Sequence, residues 1–369
     1  VSENAAYAKL VDLAAAYEEL CPASQAVMRD VFGYSNEVDA SWTQIKASQS
    51  AAVLPAEPVG LVRLPSQAMV LGQSWRLMVG GVWAAEQLHY RPPALPRPEV
   101  LAVPHAKPCE AVSDEVILVA RFGDGTWGHW VGELLPKVAL AERHFPGRFR
   151  YAVPKWAYRS DPLGRRMAES LAFYGVPESR ILLLENGRDY CFGQLHAITP
   201  VWQGRAMHPC VLQVMRDALP REPLGARRVA LLRGDNTRRQ IGNIEAVRAV
   251  LDRHGFACID IAFASFAEQV GIFAAARTIF SILGSSLTGL LYAPDGVGVV
   301  AVSPEGFTDR FFSGMLQQKR SARFFSVAGP ICDLDSRMRR DSGFEVPLSA
   351  LEEALLLAFG GESLAGGAA

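Results

Sequence analysis

From Glu115 onward the chain alternates short apolar runs with helical patterns, and no other feature restricts its fold as much. Val116–Ala120, Tyr151–Val153, Ile181–Leu184 and Leu195–Thr199 read as buried strands. Helical patterns at Gly128–His144, Leu163–Tyr174 and Pro209–Leu219 stand between and after them. The segment Pro220–Ala226 interrupts the alternation as a linker. It then resumes with strand Arg228–Leu232, helix Asn243–His254, strand Ala257–Ile261, helix Phe266–Ala276, strand Thr278–Leu283, a helix from Ser285, and strand Val297–Val302. Ile244, Val247, Val250 and Leu251 share one helical face and Gly255 ends that helix. Ser265 and Glu268 have the spacing of a capping box. Such alternation implies parallel sheets covered on both faces, with ligands beyond the carboxyl ends of the strands. The expected class is α/β, with two Rossmann-like domains facing a cleft.

The expected domains are residues 1–222, 223–335, and 336–369 as a closing helix and flexible tail. Within the first, 1–110 reads as an irregular α+β extension and 111–222 as Rossmann-like. A helix is expected over Ala5–Leu20, with Tyr7, Leu10, Val11, Ala14 and Tyr17 on one face. Pro55–Pro108 reads as short strands and loops, and Arg91–Pro98 is too rich in proline to be helical. Leu348–Phe359 has an amphipathic pattern ahead of the Gly/Ala-rich tail.

Lys plus Arg number 37 against 38 Asp plus Glu, so the net charge of −1 gives no global reason to expect nucleic acid as a partner. The six cysteines are dispersed, without a CxxC pair. They read as buried thiols of a reducing compartment, which points to the cytoplasm. The opening VSENAAYAKL has no signal-peptide pattern, although it begins with Val. The most apolar stretch, Val270–Ala293, contains Arg277 and the Gly284-Ser285-Ser286 turn, so no transmembrane segment is expected.

Three segments at expected strand ends carry chemistry. In Arg121–Pro136, Asp124 and two glycines make a turn, and His129 and Glu133 stand four apart on the following helix. A histidine there can act as general base, or can simply tie down the turn. Trp127 and Trp130 beside it fit either an acceptor surface or packing. In Leu232–Asn243, Arg233, Arg238 and Arg239 surround a strand-to-helix loop with Asn243 at the N-cap, which suits a diphosphate or a solvated basic loop. In Ile282–Pro294, Gly284, Ser285 and Ser286 open a helix as a second anion seat, and Glu305 follows the next strand where dinucleotide folds bind a ribose. Gly284–Gly289 lacks the middle glycine of GxGxxG. His196 and His208 flank Pro200–Arg205, a further candidate for the acceptor side. Asp333 and Asp335 resemble an acidic metal pair, but they fall beyond the last expected strand, so no metal is assigned.

Together, Arg228–Arg233, Thr237–Glu245, His254–Phe256, Ser265–Val270 and Gly284–Pro294, with Gly128–Trp130 and Glu133–Pro136 upstream, resemble glycosyltransferase family 61 over roughly Glu115–Pro304. The resemblance implies a GT-B type, inverting, metal-independent transferase of the bacterial capsular and exopolysaccharide branch. It would carry a sugar from a nucleoside-diphosphate donor, UDP before others, to a saccharide hydroxyl. A lipid-linked acceptor would bring it to a membrane surface. No cofactor is expected. The implied donor set is Arg233, Arg238, Arg239, Asn243, Gly284, Ser285, Ser286, Glu305 and Glu268. The base is His129, with Asp124 or Glu133 as alternatives, and Trp127, Trp130 and His208 lie on the acceptor side. Many members have His where this chain has Leu283 and Asn where it has Gly289. A catalytically silent glycan- or nucleotide-binding relative and an NAD-type oxidoreductase are the competing readings.

Overall fold

The computed structural model describes residues 7–36, 52–66, 68–72, 74–84, 109–120, 126–155, 162–203, 206–220, 225–232, 238–335 and 338–359. The chain divides into two compact units. One is drawn from residues 1–24, 56–203 and 208–214, the other from 25–55, 204–207 and 215–369. The N-terminal region supplies short strands to both: β1 (Tyr7–Ala8), β2 (Ala16–Cys21), β3 (Ser24–Met28), β4 (Phe32–Ser35), β5 (Ala52–Ala56), β6 (Val59–Arg63), β7 (Ala68–Leu71), β8 (Arg76–Val79) and β9 (Val82–Ala84).

The helix expected over Ala5–Leu20 is not formed. From Tyr7 the chain runs through β1, a 3-10 turn at Leu10–Leu13, and β2. The helical stripe would have buried Val11 and Tyr17 with Leu10, yet Leu10 is buried while each of the other two is 43% exposed. Antiparallel pairing of β2 with β6, Tyr17 opposite Val62 and Glu18 opposite Leu61, decides the conformation over local periodicity.

In the first unit, β10 (Glu110–Leu118), β11 (Arg150–Pro154), β12 (Ile181–Leu184) and β13 (Tyr190–Ile198) form a parallel set in the spatial order β12-β11-β10-β13. The helical segments are α1 (Trp127–His129), a π turn at Trp130–Leu134, α2 (Leu135–His144) and α3 (Pro162–Phe173). The free edge of β13 is taken by antiparallel strands, β6 against its carboxyl half and β7 against its start. The unit is therefore a mixed sheet. Its core joins Val116, Leu118, Ala152 and Leu195 to Val70 and Leu77. After β13 come β14 (Trp202–Gln203), β15 (Ala206–Met207) and α4 (Pro209–Asp217).

The second unit is more regular. It contains β16 (Arg228–Leu232), α5 (Ile244–Arg253), β17 (Ala257–Asp260), α6 (Phe266–Ala275), β18 (Thr278–Ile282), a 3-10 helix at Ser285–Leu291, β19 (Gly298–Pro304), α7 (Arg310–Gln317) and β20 (Arg323–Gly329). The strands lie in the order β17-β16-β18-β19-β20-β4, all parallel. β18 and β19 are buried at every residue, as a parallel sheet covered on both faces requires. The sheet extends two strands beyond the sequence pattern, through β20 and the N-terminal β4. Asp333 therefore lies in β21 (Ile331–Asp333), which pairs with β22 (Gly343–Phe344). The last helix, α8 (Leu348–Phe359), buries Ala350, Leu351, Ala354, Leu355, Ala358 and Phe359 on one face, as its periodicity indicates. Arg323 donates to its Leu357 and Ala358 carbonyls at 3.3 and 3.0 Å, satisfying acceptors that the helix itself leaves open. Among the described residues no helix is long and apolar enough to cross a membrane.

The cysteines differ from the expectation of free thiols. Cys21 is bonded to Cys210 and Cys109 to Cys191, while Cys258 and Cys332 are unpaired and exposed. Separations of 189 and 82 residues hide this pairing from local sequence inspection. Loops of that length give each bond about 4–5 kcal/mol of stabilisation in the chain-entropy model. Denatured without reductant, the protein should titrate two thiols per chain, and six after reduction. Six thiols without reductant would mean that neither bond forms.

Lys319, at the turn after α7, is almost wholly buried, and its ammonium donates to the carbonyls of Ala293 at 2.6 Å and Leu291 at 3.2 Å. Burial pulls its pKa from 10.5 down to about 7; Arg216 pushes the same way and Asp295 opposes. Between these two values the unfolded chain holds more protons than the folded one, so this group's contribution to stability rises with pH from about 7 to 10.5. Urea melts of wild type and Lys319→Met should diverge over that window by up to about 1.4 kcal/mol per pH unit. Parallel profiles would show that Lys319 does not titrate in it.

Candidate active site

In an open parallel sheet, a crevice forms where successive connections leave one strand in opposite directions. In the first unit the chain order across the sheet is third, second, first, fourth, so the reversal lies between β10 and β13. In the second unit the order is second, first, third, fourth, fifth, placing the reversal between β16 and β18. The motif-bearing loops follow these strands.

In the first unit, Thr126 opens the helical segment, its hydroxyl accepting from the His129 amide at 3.4 Å. His129 Nδ1 lies 2.6 Å from Glu133 Oε1, both side chains being partly buried. An ionised carboxylate can only accept, so with Glu133 ionised the hydrogen of this pair sits on Nδ1. The helix widens here into a π turn, Leu135 N donating to the Trp130 carbonyl. Pro136 has no N–H to give the Gly132 carbonyl its α-type bond; the Trp202 indole donates to that carbonyl at 2.7 Å. This bond ties the segment after β13 to the segment after β10. π turns of this kind recur at functional sites.

Other residues expected nearby take different roles. Trp130 is core: it is buried, and its indole donates to Ser170 Oγ at 2.8 Å. Trp127 is half-buried in the His129 turn. His208 is also a core residue and not an acceptor contact, with Nε2 3.1 Å from the Pro22 carbonyl and Nδ1 accepting the Cys210 amide at 3.2 Å. Burial lowers its pKa, against the Pro22 hydrogen bond. His196 is buried against Phe149, its Nε2 3.1 Å from Glu115 Oε1; burial lowers its pKa and Glu115 opposes. Asp124 and Arg233 lie outside the described residues.

In the second unit the structure brings two separately read segments together. Arg239 Nη1 donates to the Leu283 carbonyl at 2.6 Å, immediately past β18 and beside the Gly284 turn. The segment leading to α5 runs along the one leading to α8. Arg239 N donates to the Asp341 carbonyl at 2.9 Å, and Gly242 N to the Phe344 carbonyl at 2.8 Å. Asn243 is the N-cap residue of α5, as expected, but its side chain makes no capping hydrogen bond. Its side chain forms a reciprocal pair with the Val346 backbone at 2.8 and 2.9 Å, so it clamps the loop and its amide is engaged there. Held in this way, Arg239 has φ +56, a left-handed conformation that costs a non-glycine residue about 1–2 kcal/mol.

The Arg239 guanidinium sits 5.5 Å from the Phe307 ring, with Nε 3.8 Å from Asp341 Oδ1. That separation is an ion-pair contact too long for a hydrogen bond, and Nε is buried without a hydrogen-bond acceptor among the described residues. Burial pulls the Arg239 pKa down and Asp341 opposes; a guanidinium stays charged through such a shift. Arg238 is 69% exposed, 3.9 Å from the other Asp341 oxygen.

The turn after β18 carries a seven-residue 3-10 helix instead of an α-helix. Arg238 and Arg239 bring two positive side chains to the same strand end, both against Asp341. Ser286 Oγ lies 3.2 Å from Ser281 Oγ, and Thr288 donates to the Ser285 carbonyl at 2.5 Å. Glu268 and Ser265 form the expected capping box on α6, which occupies the Glu268 carboxylate with the Ser265 amide at 2.6 Å. Glu305 is exposed past β19, two strands from β16. Asp341 and Phe307 were not foreseen, because nothing local marks them; they reach Arg239 through tertiary packing. Among the described residues, one group has His, Cys or acidic ligand atoms close enough together to hold a metal, namely Cys21, His208 and Cys210. There the sulfurs are bonded to each other and both imidazole nitrogens are engaged.

With this geometry in hand, comparison with known families identifies the class. Residues 127–300, from the His129 turn to β19, match the family model described as Glycosyltransferase 61. The match supports that family and makes the protein an enzyme, a glycosyltransferase with a sugar donor and an acceptor as substrates. No curated protein matches the chain.

The two departures noted in the sequence have a structural basis. Leu283 is buried and contributes its carbonyl to Arg239. At Gly289 a Cβ atom would stand 2.0 Å from the Phe273 ring, so an aromatic ring fills the space a side chain would need. Gly289→Ala should lower stability by about 1–3 kcal/mol, the usual penalty for overpacking. Chemical denaturation checks this, and an unchanged midpoint would mean that Phe273 yields without strain.

Proposed function

We propose that this protein transfers a sugar, with inversion and without a divalent metal, from a nucleoside-diphosphate donor to a saccharide hydroxyl. UDP is the first choice of nucleotide and exported polysaccharide the expected acceptor class. The observation that carries the reading is Arg239: a strained residue whose half-satisfied guanidinium stands at the strand reversal of the second unit. Guanidinium forks suit a diphosphate, and fixed positive charge at the leaving oxygen lowers the barrier as negative charge builds there. Arg238, with the Ser285 and Ser286 hydroxyls, completes this seat.

In the first unit His129 serves as the base. The acceptor oxygen attacks the anomeric carbon, the bond from that carbon to the diphosphate oxygen breaks, and the hydroxyl proton passes to His129 Nε2. Glu133 then acts as a positioning residue, since it fixes the Nδ1–H tautomer and stabilises the imidazolium.

A thermal-shift screen of nucleotide sugars tests the donor, because a ligand of the folded state raises the melting temperature. His129→Ala should keep that shift while transfer, read as released nucleoside diphosphate, falls by about 10²–10⁴-fold. Wild-type rates across pH in this variant would remove His129 as base. Arg239→Ala should lose the donor shift; an unchanged shift would remove the arginine from the donor site.

A further inference from the structure

One side-chain cluster of the first unit has no part in the transfer reaction. Cys21 ends β2, His208 precedes α4, and Cys210 is the second residue of that helix. Both sulfurs and an imidazole nitrogen lie within 4.8 Å of one another. Cys21 and His208 are buried and Cys210 is half-buried, which leaves the solvent side of the cluster to Cys210. The cystine ties the end of β2 to the start of α4, with 6.0 Å between the two Cα atoms. The other cystine, Cys109–Cys191, has no histidine or acidic group grouped with it among the described residues.

The His208 imidazole is oriented as a metal ligand would be. Its Nδ1 accepts the Cys210 amide at 3.2 Å, so that nitrogen carries a lone pair and no hydrogen. The hydrogen is on Nε2, which donates to the Pro22 carbonyl at 3.1 Å. A histidine that binds a metal through one ring nitrogen gives the other N–H to a carbonyl or carboxylate, which fixes tautomer and ring direction. Here that outer contact is already made, and the lone pair faces the start of α4. Two thiolates and an imidazole are a donor set for Zn²⁺, whereas Mg²⁺ and Ca²⁺ take oxygen ligands. Bonds of about 2.3 Å to sulfur and about 2.0 Å to nitrogen place tetrahedral ligand atoms about 3.5–3.8 Å apart. Side-chain movements on the order of 1 Å reach that geometry once the S–S bond is open.

We propose that Cys21, Cys210 and His208 form a redox-gated zinc site, closed as a cystine under oxidising conditions and open to Zn²⁺ after reduction. An external dithiol supplies the two electrons. Its thiolate attacks Cys210 Sγ, the S–S bond breaks, and Cys21 leaves as thiolate. The second thiol of the reductant then displaces Cys210 and the reductant closes to a cyclic disulfide. Zn²⁺ binds both sulfurs with loss of any thiol protons, and the Nδ1 lone pair passes from the Cys210 amide to the metal. A water on the Cys210 side completes four ligands. The tie between β2 and α4 is thus covalent in one redox state and metal-held in the other. This zinc orders the fold and takes no part in sugar transfer.

The full chain is reduced with a dithiol, freed of reductant without air, and titrated with Zn²⁺ or with Co²⁺ as a spectroscopic substitute, beside the oxidised chain. Metal analysis should find about one ion per reduced chain and none on the oxidised one, with a thiolate-to-cobalt charge-transfer band. Zn²⁺ should raise the melting temperature of the reduced chain alone. Cys258→Ser/Cys332→Ser should bind as wild type does, and Cys21→Ser/Cys210→Ser should not bind. His208→Asn keeps both cysteines and an acceptor for the Cys210 amide, so it carries the test however the double variant folds. It should lose more affinity than the roughly 10–100-fold that removal of an outer contact costs. No metal on reduced wild type, or equal binding by the oxidised chain, overturns the site. Binding that survives Cys21→Ser/Cys210→Ser places the ion elsewhere and also overturns it, as does wild-type affinity in His208→Asn.

Discussion

Parallel strand pairing is the constraint on which the rest of this structure depends. Parallel neighbours cannot be joined by a tight turn, so each pair needs a crossover that covers a sheet face. From β10 in the first unit and from β16 in the second, the chain adds strands first to one side and later to the other. The crossovers diverge at that first strand and leave its carboxyl end open. Two loops per unit then meet beside the opening, and in each unit a hydrogen bond links them: Trp202 to the Gly132 carbonyl and Arg239 to the Leu283 carbonyl. Both bonds end on a backbone oxygen that the local secondary structure leaves available.

The electrostatics follow from this geometry. The seven-residue 3-10 helix past β18 offers an anion at most the partial charge of its first turn. A guanidinium provides a full charge where the dipole provides a fraction. Keeping that charge half-buried is unfavourable, and the left-handed backbone at residue 239 adds about 1–2 kcal/mol. Four backbone and side-chain contacts to the segment before α8, at Arg239, Gly242 and Asn243, offset that burden. The closing part of the chain, which reads from sequence as a helix and tail, is thus what shapes the crevice loop.

The alternation of strands and helices was legible because fully buried parallel strands such as Thr278–Ile282 leave continuous apolar runs with capped helices between them. The chemistry-bearing loops were legible for the same reason: carboxyl ends of strands can be located once the strands are. What failed was non-local. The Ala5–Leu20 stripe has helical spacing, and pairing of β2 with β6 overrides it. The two cystines, β4 as the sixth strand of the second sheet, and Asp341 beside Arg239 join residues far apart in sequence. His208 and Trp130 were read as acceptor contacts because polar or aromatic residues near a strand end invite it, and burial with satisfied hydrogen bonds assigns both to the core.

The substitutions at Leu283 and Gly289 need not weaken the proposed donor seat, because of the atoms that seat would use. Arg239 reads the carbonyl of residue 283, which every amino acid supplies, and the buried leucine side chain satisfies the core without competing for that oxygen. At residue 289 the Phe273 ring has taken the volume of the missing side chain, so the packing is complete. A larger side chain at 289 would meet the Phe273 ring and strain the short helix. The packing around residues 283 and 289 is thus complete without those two side chains, and in the proposed donor seat the charge would come from residues 238 and 239.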